Sequence, residues 1–123
     1  MTKRILIVDD DQDIRDVVQV SLEDFAGWQT LTAASGSEGL QILETELLDA
    51  ILADLSMPDM DGVQFFEQLQ AKPDINPVPV IFLTAKASVS DRHRLKEMGA
   101  VGIIAKPFDP ATIWQQIAQI LNW

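Results

Sequence analysis

The stretch ILADLSMPDMDG, residues 51–62, places Asp54 directly after an apolar run, and Pro58 and Gly62 then interrupt the chain. A short apolar run bounded by turn residues is typical of a strand buried on both faces of a parallel sheet. A carboxylate at the end of such a strand is costly to bury unless a cation or another partner offsets its charge. Asp54 is therefore the residue that a prediction of function has to explain.

Four further apolar runs accompany this one, with segments of helical spacing between them. The five runs are Ile5–Val8, Trp28–Thr32, Ala50–Ala53, Val80–Leu83 and Val101–Ile104. The second run is more polar than the others, which favours an edge strand. Strand and helix alternate five times, which predicts an α/β fold of the flavodoxin-like (βα)5 type. This is a doubly wound parallel five-stranded sheet with strand order 2-1-3-4-5.

Cap residues mark several of the helices. Ser35 with Glu38 forms a capping-box pattern, and Asp61 is predicted to be the N-cap of the helix that follows it. Asp109 followed by Pro110 predicts that the last helix is capped at Asp109.

The segment Ser88–Met98, which ends at Gly99, carries few large apolar residues among many charged ones. It predicts a helix with a thin apolar face, and a weakly anchored helix is a natural candidate for movement.

Composition narrows the classes of function. The chain of 123 residues is 47% hydrophobic, contains no cysteine and has a net charge of −10. We expect a single domain over residues 1–123 with no output domain after the last helix. The acidic charge disfavours nucleic acid and anionic membranes as partners. No apolar run is long enough to cross a bilayer or to act as a signal peptide, and we expect a cytoplasmic protein.

Polar side chains follow four of the five predicted strands. Asp9 and Asp10 follow the first strand, Asp54 the third, Thr84 the fourth and Lys106 the fifth. Parallel strands share one carboxyl edge, and ligands bind there at the point where the strand order reverses. We therefore expect these five residues to lie together.

Clustered carboxylates repel one another, and a cation would offset their charge. Carboxylate oxygens without histidine or cysteine suit Mg²⁺, which keeps coordination positions for water and phosphate. With a lysine and a hydroxyl nearby, such a site can bind a phosphoryl group, and a carboxylate can accept one as a nucleophile.

Four stretches make a family resemblance plain: ILIVDDDQDIR, LADLSMPDMDG, PVIFLTAKA and GAVGIIAKPF. They occur in the order found in response-regulator receiver domains of two-component signalling, and the chain resembles that family over essentially its whole length. The resemblance implies a regulator, not an enzyme acting on an external substrate. It also implies a histidine kinase or a histidine phosphotransfer protein as the phosphoryl donor, and leaves the downstream target unknown.

The resemblance also assigns the metal site and the acceptor. Asp54 matches the phospho-accepting aspartate and a metal ligand. Asp10 matches the direct Mg²⁺ ligand, Asp9 a ligand acting through water, and Ser56 a ligand through its backbone carbonyl.

Three further positions match the family's motifs. Thr84 matches the hydroxyl that binds a phosphoryl oxygen. Lys106 matches the lysine that pairs with the acceptor, and its bond to Pro107 is expected to be cis. Ser56 and Lys86 occupy positions that tune dephosphorylation in the family.

One departure concerns how the signal leaves the domain. Many members carry an aromatic residue three positions before the lysine, where this chain has Ile103. An aromatic side-chain switch is therefore not available in that form. We expect a smaller rearrangement of the fourth helix and its neighbours.

Other interpretations remain open at this point. The acids at 9–11 can cap the first helix, and we expect Asp11 to do so. A receiver-like interaction module that ignores phosphate is one alternative function. An aspartate-nucleophile phosphatase is another alternative function. Such enzymes carry a DxD pattern, and this chain has Ser56 at the position of the second acid.

Overall fold

The computed structural model describes residues 2–85 and 88–123, in which five strands alternate with five helices. The strands are β1 (Arg4–Val8), β2 (Gln29–Ala33), β3 (Ala50–Asp54), β4 (Val80–Thr84) and β5 (Gly102–Ala105). The helices are α1 (Gln12–Ala26), α2 (Gly36–Thr45), α3 (Gly62–Gln70), α4 (Val89–Met98) and α5 (Ile113–Leu121). Each strand begins within one residue of its predicted start.

The strands form one parallel sheet in the order β2-β1-β3-β4-β5, which confirms the predicted fold class and strand order. Alternate residues of each strand face opposite sides of the sheet. In β1, Ile5 and Ile7 pack in the core beneath α1 and α5, whereas Leu6 and Val8 pack in the core beneath α2, α3 and α4. β2 lies at an edge, as its polarity indicated.

Side-chain caps begin four of the helices. Asp11, Ser35, Asp61 and Ser88 accept backbone N–H groups at the starts of α1, α2, α3 and α4. The predicted Asp109 cap of the last helix is wrong, because α5 begins only at Ile113. Residues 110–112 form a turn instead.

The Asp109 carbonyl explains this later start. It accepts the N–H of Thr112 at 3.1 Å and that of Ile113 at 3.0 Å. The first of these bonds spans three residues, so the turn is tighter than an α-helical turn.

α4 is held weakly, as its composition indicated. Leu95 is its only buried residue, and Val89 is 86% exposed. Its last turn ends at Gly99, whose φ of 112° suits glycine. Gln70 in α3 donates a hydrogen bond to the Met98 carbonyl at 3.0 Å. Among the described residues, no helix has the length and apolar character needed to cross a membrane.

The loop between β3 and α3 contains an uncommon turn. Asp59 has a φ of 66°, and the Met60 N–H bonds to the Pro58 carbonyl at 2.7 Å. A turn of this kind, centred on a residue with positive φ, is strained for a side chain with a Cβ atom.

We expect Asp59→Gly to raise the free energy of unfolding by about 0.5 kcal/mol, because glycine adopts positive φ without steric cost. Urea unfolding would measure this change. An unchanged or lower stability would contradict the assignment of strain to this turn.

Candidate functional site

Three carboxylates meet at the carboxyl edge of the sheet. β1 and β3 are neighbours, so Asp9 and Asp10 at the end of β1 lie beside Asp54 at the end of β3. One carboxylate oxygen from each lies within 4.8 Å of the others. Asp9 and Asp54 are 1% and 6% exposed, whereas Asp10 is exposed. The predicted convergence of these acids is confirmed.

Lys106, the residue directly after β5, joins this cluster. Its Nζ lies 3.3 Å from Asp9 Oδ2 and 3.3 Å from Asp54 Oδ1. Its backbone N–H donates to the Thr84 carbonyl at 2.8 Å, which fixes the lysine beside the end of β4. Thr84 is buried, one residue beyond the strand partner of Asp54. The Lys106–Pro107 peptide bond is cis, as predicted.

The loop after β3 also contacts the central carboxylate. The Ser56 N–H donates to Asp54 Oδ1 at 3.4 Å. Ser56 is therefore adjacent to the cluster, and metal ligation through its backbone carbonyl stays a prediction. Lys86 lies outside the described residues.

Asp11 has the capping role that was expected of it. Its Oδ1 accepts the N–H groups of Asp13 and Ile14, and its own N–H donates to Asp9 Oδ1 at 2.9 Å. Asp9 therefore has one oxygen bonded to the backbone and the other to Lys106.

Burial and charge oppose each other at this cluster. Burial raises the pKa of the Asp54 carboxyl, and Asp9 raises it further, whereas Lys106 and the Ser56 amide offset only part of this rise. Burial lowers the pKa of Lys106, but Asp9 and Asp54 outweigh that effect, and the net shift is upward. Ionised Asp54 is thus in an environment that favours a further cation.

The raised pKa of Asp54 gives a prediction for stability. The folded protein retains the Asp54 proton to a higher pH than the unfolded chain, whose ordinary value is 3.8. Stability contributed by this group is therefore lost as the pH rises above that value. Without Mg²⁺ at neutral pH, we expect Asp54→Asn to raise Tm by roughly a few degrees.

Thermal unfolding at neutral and acidic pH would measure this effect, with Asp24→Asn on the exposed side of α1 as the control. The gain should shrink as the pH falls toward the ordinary aspartate pKa. A gain that is independent of pH, or is equal for both variants, would contradict the electrostatic cause.

The donor set fits Mg²⁺. Three carboxylates supply hard oxygen ligands, and the exposed Asp10 leaves one side of the cluster open to water. No metal cluster of histidine or cysteine ligands accompanies them in the described part of the chain. These residues can bind a divalent cation at the carboxyl edge of the sheet.

Sequence reasoning did not single out two residues that shape this site. Arg15 in α1 donates from Nη1 to the Asp9 carbonyl at 2.7 Å. Gly62 approaches β3 so closely that a Cβ atom there would lie 2.6 Å from the Asp54 carbonyl oxygen. The only sequence signal for these two residues was their position, since Arg15 follows the acids at 9–11 and Gly62 follows Asp54.

Ile103 lies on β5 between α4 and α5. A groove of about 370 Å³ passes over it, with Arg92, His93 and Lys96 on one side and Ile120 on the other. Ile103 is therefore partly open to this groove.

Known proteins share this architecture. Residues 5–118 match the family described as the response regulator receiver domain. A probable transcriptional regulator, ycf27, of Porphyridium aerugineum is 36% identical over 98% of this chain and 48% of its own length. The chain spans about half the length of such curated relatives.

Two solved structures match this chain over nearly the whole length of both chains. Chemotaxis response regulator CheY4 of Vibrio cholerae is 32% identical with a TM-score of 0.88, covering 98% of this chain and 99% of that chain. A putative response regulator from Chloroflexus aurantiacus is 32% identical with a TM-score of 0.87, covering 100% of both chains.

Proposed function

Because the chain belongs to the response regulator receiver domain family, we propose that it is a Mg²⁺-dependent switch that accepts a phosphoryl group on Asp54. The observation that carries this proposal is the shared environment of Asp54: two further carboxylates within 4.8 Å and Lys106 at 3.3 Å. A carboxylate nucleophile, a cation site and a fixed ammonium are what phosphoryl transfer to an aspartate requires.

The proposed donor is a phosphohistidine of a histidine kinase or a histidine phosphotransfer protein. An Asp54 oxygen attacks phosphorus as the phosphorus–nitrogen bond breaks, and the imidazole leaves and takes up a proton. A bound Mg²⁺ would supply positive charge to the phosphoryl oxygens. Water later attacks the same phosphorus, which releases phosphate and restores the Asp54 carboxylate.

The protein's own residues orient this chemistry. The fixed Lys106 ammonium neutralises charge on the transferring group, and the Ser56 amide holds Asp54 Oδ1 in place. We propose that the Thr84 hydroxyl binds a phosphoryl oxygen from the end of β4. Repacking of the weakly anchored α4 and of β5 would then carry the change to the protein surface.

The proposed output surface is the α4–β5–α5 face. It combines the groove over Ile103 with the basic residues Arg92 and Lys96, in a chain whose net charge is −10. We propose that this receiver domain is cytoplasmic and regulates a protein partner. The acidic charge makes direct contact of this domain with nucleic acid or membrane unfavourable.

Intact mass after incubation with Mg²⁺ and acetyl phosphate would test the function. We expect one added phosphoryl group in the wild type, and none in Asp54→Asn or without Mg²⁺. If no adduct forms and a beryllofluoride complex also fails to form, the proposal is wrong and a phosphate-independent binding module is favoured. Multiple turnover on generic phosphate esters would instead indicate a phosphatase.

A further inference from the structure

We infer that Arg15 is a positioning residue for the metal site, acting through the backbone between Asp9 and Asp10. This inference rests on the proposed Mg²⁺ site. Arg15 is the fourth residue of α1, and its Nη1 donates to the Asp9 carbonyl across six residues at 2.7 Å. This bond is partly buried, so water competes with it less than at the open surface.

The Asp9 carbonyl belongs to the peptide unit that continues into Asp10. A peptide unit is planar, so fixing its oxygen also fixes ψ at Asp9, the direction of the Asp10 N–H and the position of the Asp10 Cα atom. The Asp9 N–H is already bonded to the Ala33 carbonyl of β2 at 3.1 Å. Arg15 thus completes the anchoring of the strand end from which the Asp10 side chain projects.

The Asp10 side chain has no hydrogen bond or ion pair within the described ranges, and it is exposed. Asp9, by contrast, is held through both carboxylate oxygens. The orientation of Asp10 therefore depends on its backbone more than that of Asp9 does. Residues that orient a metal ligand without contacting the metal commonly control the affinity of metal sites.

Charge alone makes the opposite prediction, which makes the inference testable. Arg15 is a cation close to a cation site, so simple electrostatics predicts that its removal strengthens Mg²⁺ binding. If Arg15 acts by positioning Asp10, its removal weakens binding despite the lost repulsion. We expect Arg15→Met to raise the Kd for Mg²⁺ about tenfold.

The experiment measures Mg²⁺ binding by isothermal titration calorimetry in four proteins. Arg15→Met removes charge and donor. Arg15→Lys keeps the charge and one donor, and we expect its Kd to lie between those of the wild type and Arg15→Met. Arg94→Met is the matched control, since it removes the same charge from an exposed site on α4 and should leave the Kd near that of the wild type.

A second measurement uses the metal-free proteins. The amide resonance of Asp10 should shift or broaden in Arg15→Met, whereas that of Ser56 should not move. The resonance measurement also separates positioning from a loss of stability. If Arg15 had only a structural role, its replacement would lower Tm but leave the Kd for Mg²⁺ and the Asp10 resonance unchanged. If Arg15→Met does not fold, Arg15→Lys gives the same two readouts.

An unchanged or tighter Kd in Arg15→Met would overturn the inference. If the wild type still accepts a phosphoryl group in that case, the proposed function stands without it. A wild type that binds no Mg²⁺ would overturn both.

Discussion

Lys106→Met is expected to slow phosphorylation of Asp54 by acetyl phosphate about a hundredfold at neutral pH. The Lys106 ammonium lies 3.3 Å from an oxygen of Asp54 and 3.3 Å from an oxygen of Asp9. Without it, the transferring group loses a fixed positive charge. The pKa of Asp54, already raised by burial and Asp9, rises further, so the nucleophilic carboxylate is harder to form.

The same variant should lose stability. Lys106→Met leaves two buried carboxylates without their cation, which we expect to cost about 3 kcal/mol without Mg²⁺. The loss should be greatest at neutral pH and shrink in acid as Asp54 takes up a proton. Mg²⁺ should bind this variant more tightly, because Lys106 no longer competes for the carboxylates.

Lys72→Met is the control for both readouts. Lys72 pairs with Glu44 at 3.7 Å, but their side chains are 39% and 56% exposed. Such a surface pair contributes about 0–1 kcal/mol, so stability and phosphorylation should stay near wild type. Equal rates and equal urea midpoints for the two variants would contradict the role assigned to Lys106.

Gly62→Ala is expected to have the second large effect, a loss of about 3 kcal/mol in the free energy of unfolding. A Cβ atom at Gly62 would lie 2.6 Å from the Asp54 carbonyl oxygen and 2.9 Å from the Leu55 Cα. Both are backbone atoms of the strand end, and neither can rotate away. We therefore also expect slower phosphorylation, because relief of the clash must move Asp54.

Gly36→Ala is a matched control, since Gly36 begins α2 as Gly62 begins α3. A Cβ atom at Gly36 would meet Met60 Sδ at 2.6 Å, close to the end of a flexible side chain. Alanine is favoured over glycine in helices by about 1 kcal/mol, which should offset much of that contact. Urea unfolding that shows equal changes in both variants would contradict the argument from backbone contact.

The fold follows from local signals that agree with one another. Apolar runs of strand length, interrupted by caps such as Ser35 and Asp61, were enough to predict the five βα units. The strand order came from the flavodoxin-like pattern that such alternating units follow. The site was predicted from topology. Asp54 and Lys106 are distant in sequence, but each lies at the carboxyl end of a strand, and these ends share one edge of the sheet. A pattern of residue types is sufficient for strands and caps because each depends on one element at a time. The site needs, in addition, only the shared carboxyl edge of parallel strands.

Features that depend on distances between elements were not predictable in the same way. The contact of Arg15 with the Asp9 carbonyl and the approach of Gly62 to β3 require tertiary positions that spacing does not specify. The start of α5 at Ile113 depends on how the Asp109 carbonyl is shared between two amides. Proline is favoured at the first position of a helix, but α5 begins three residues after Pro110.

Trapping the phosphorylated carboxylate tests the central claim most directly. Borohydride delivers hydride to the carbonyl carbon of an acyl phosphate, so a phosphorylated aspartate is reduced to homoserine and phosphate is released. After reaction with Mg²⁺ and acetyl phosphate, peptide mass spectrometry should find this conversion at residue 54 alone. Conversion at Asp9 or Asp10 instead, or none in protein that carries an added phosphoryl group, would contradict the assignment of Asp54 as the acceptor.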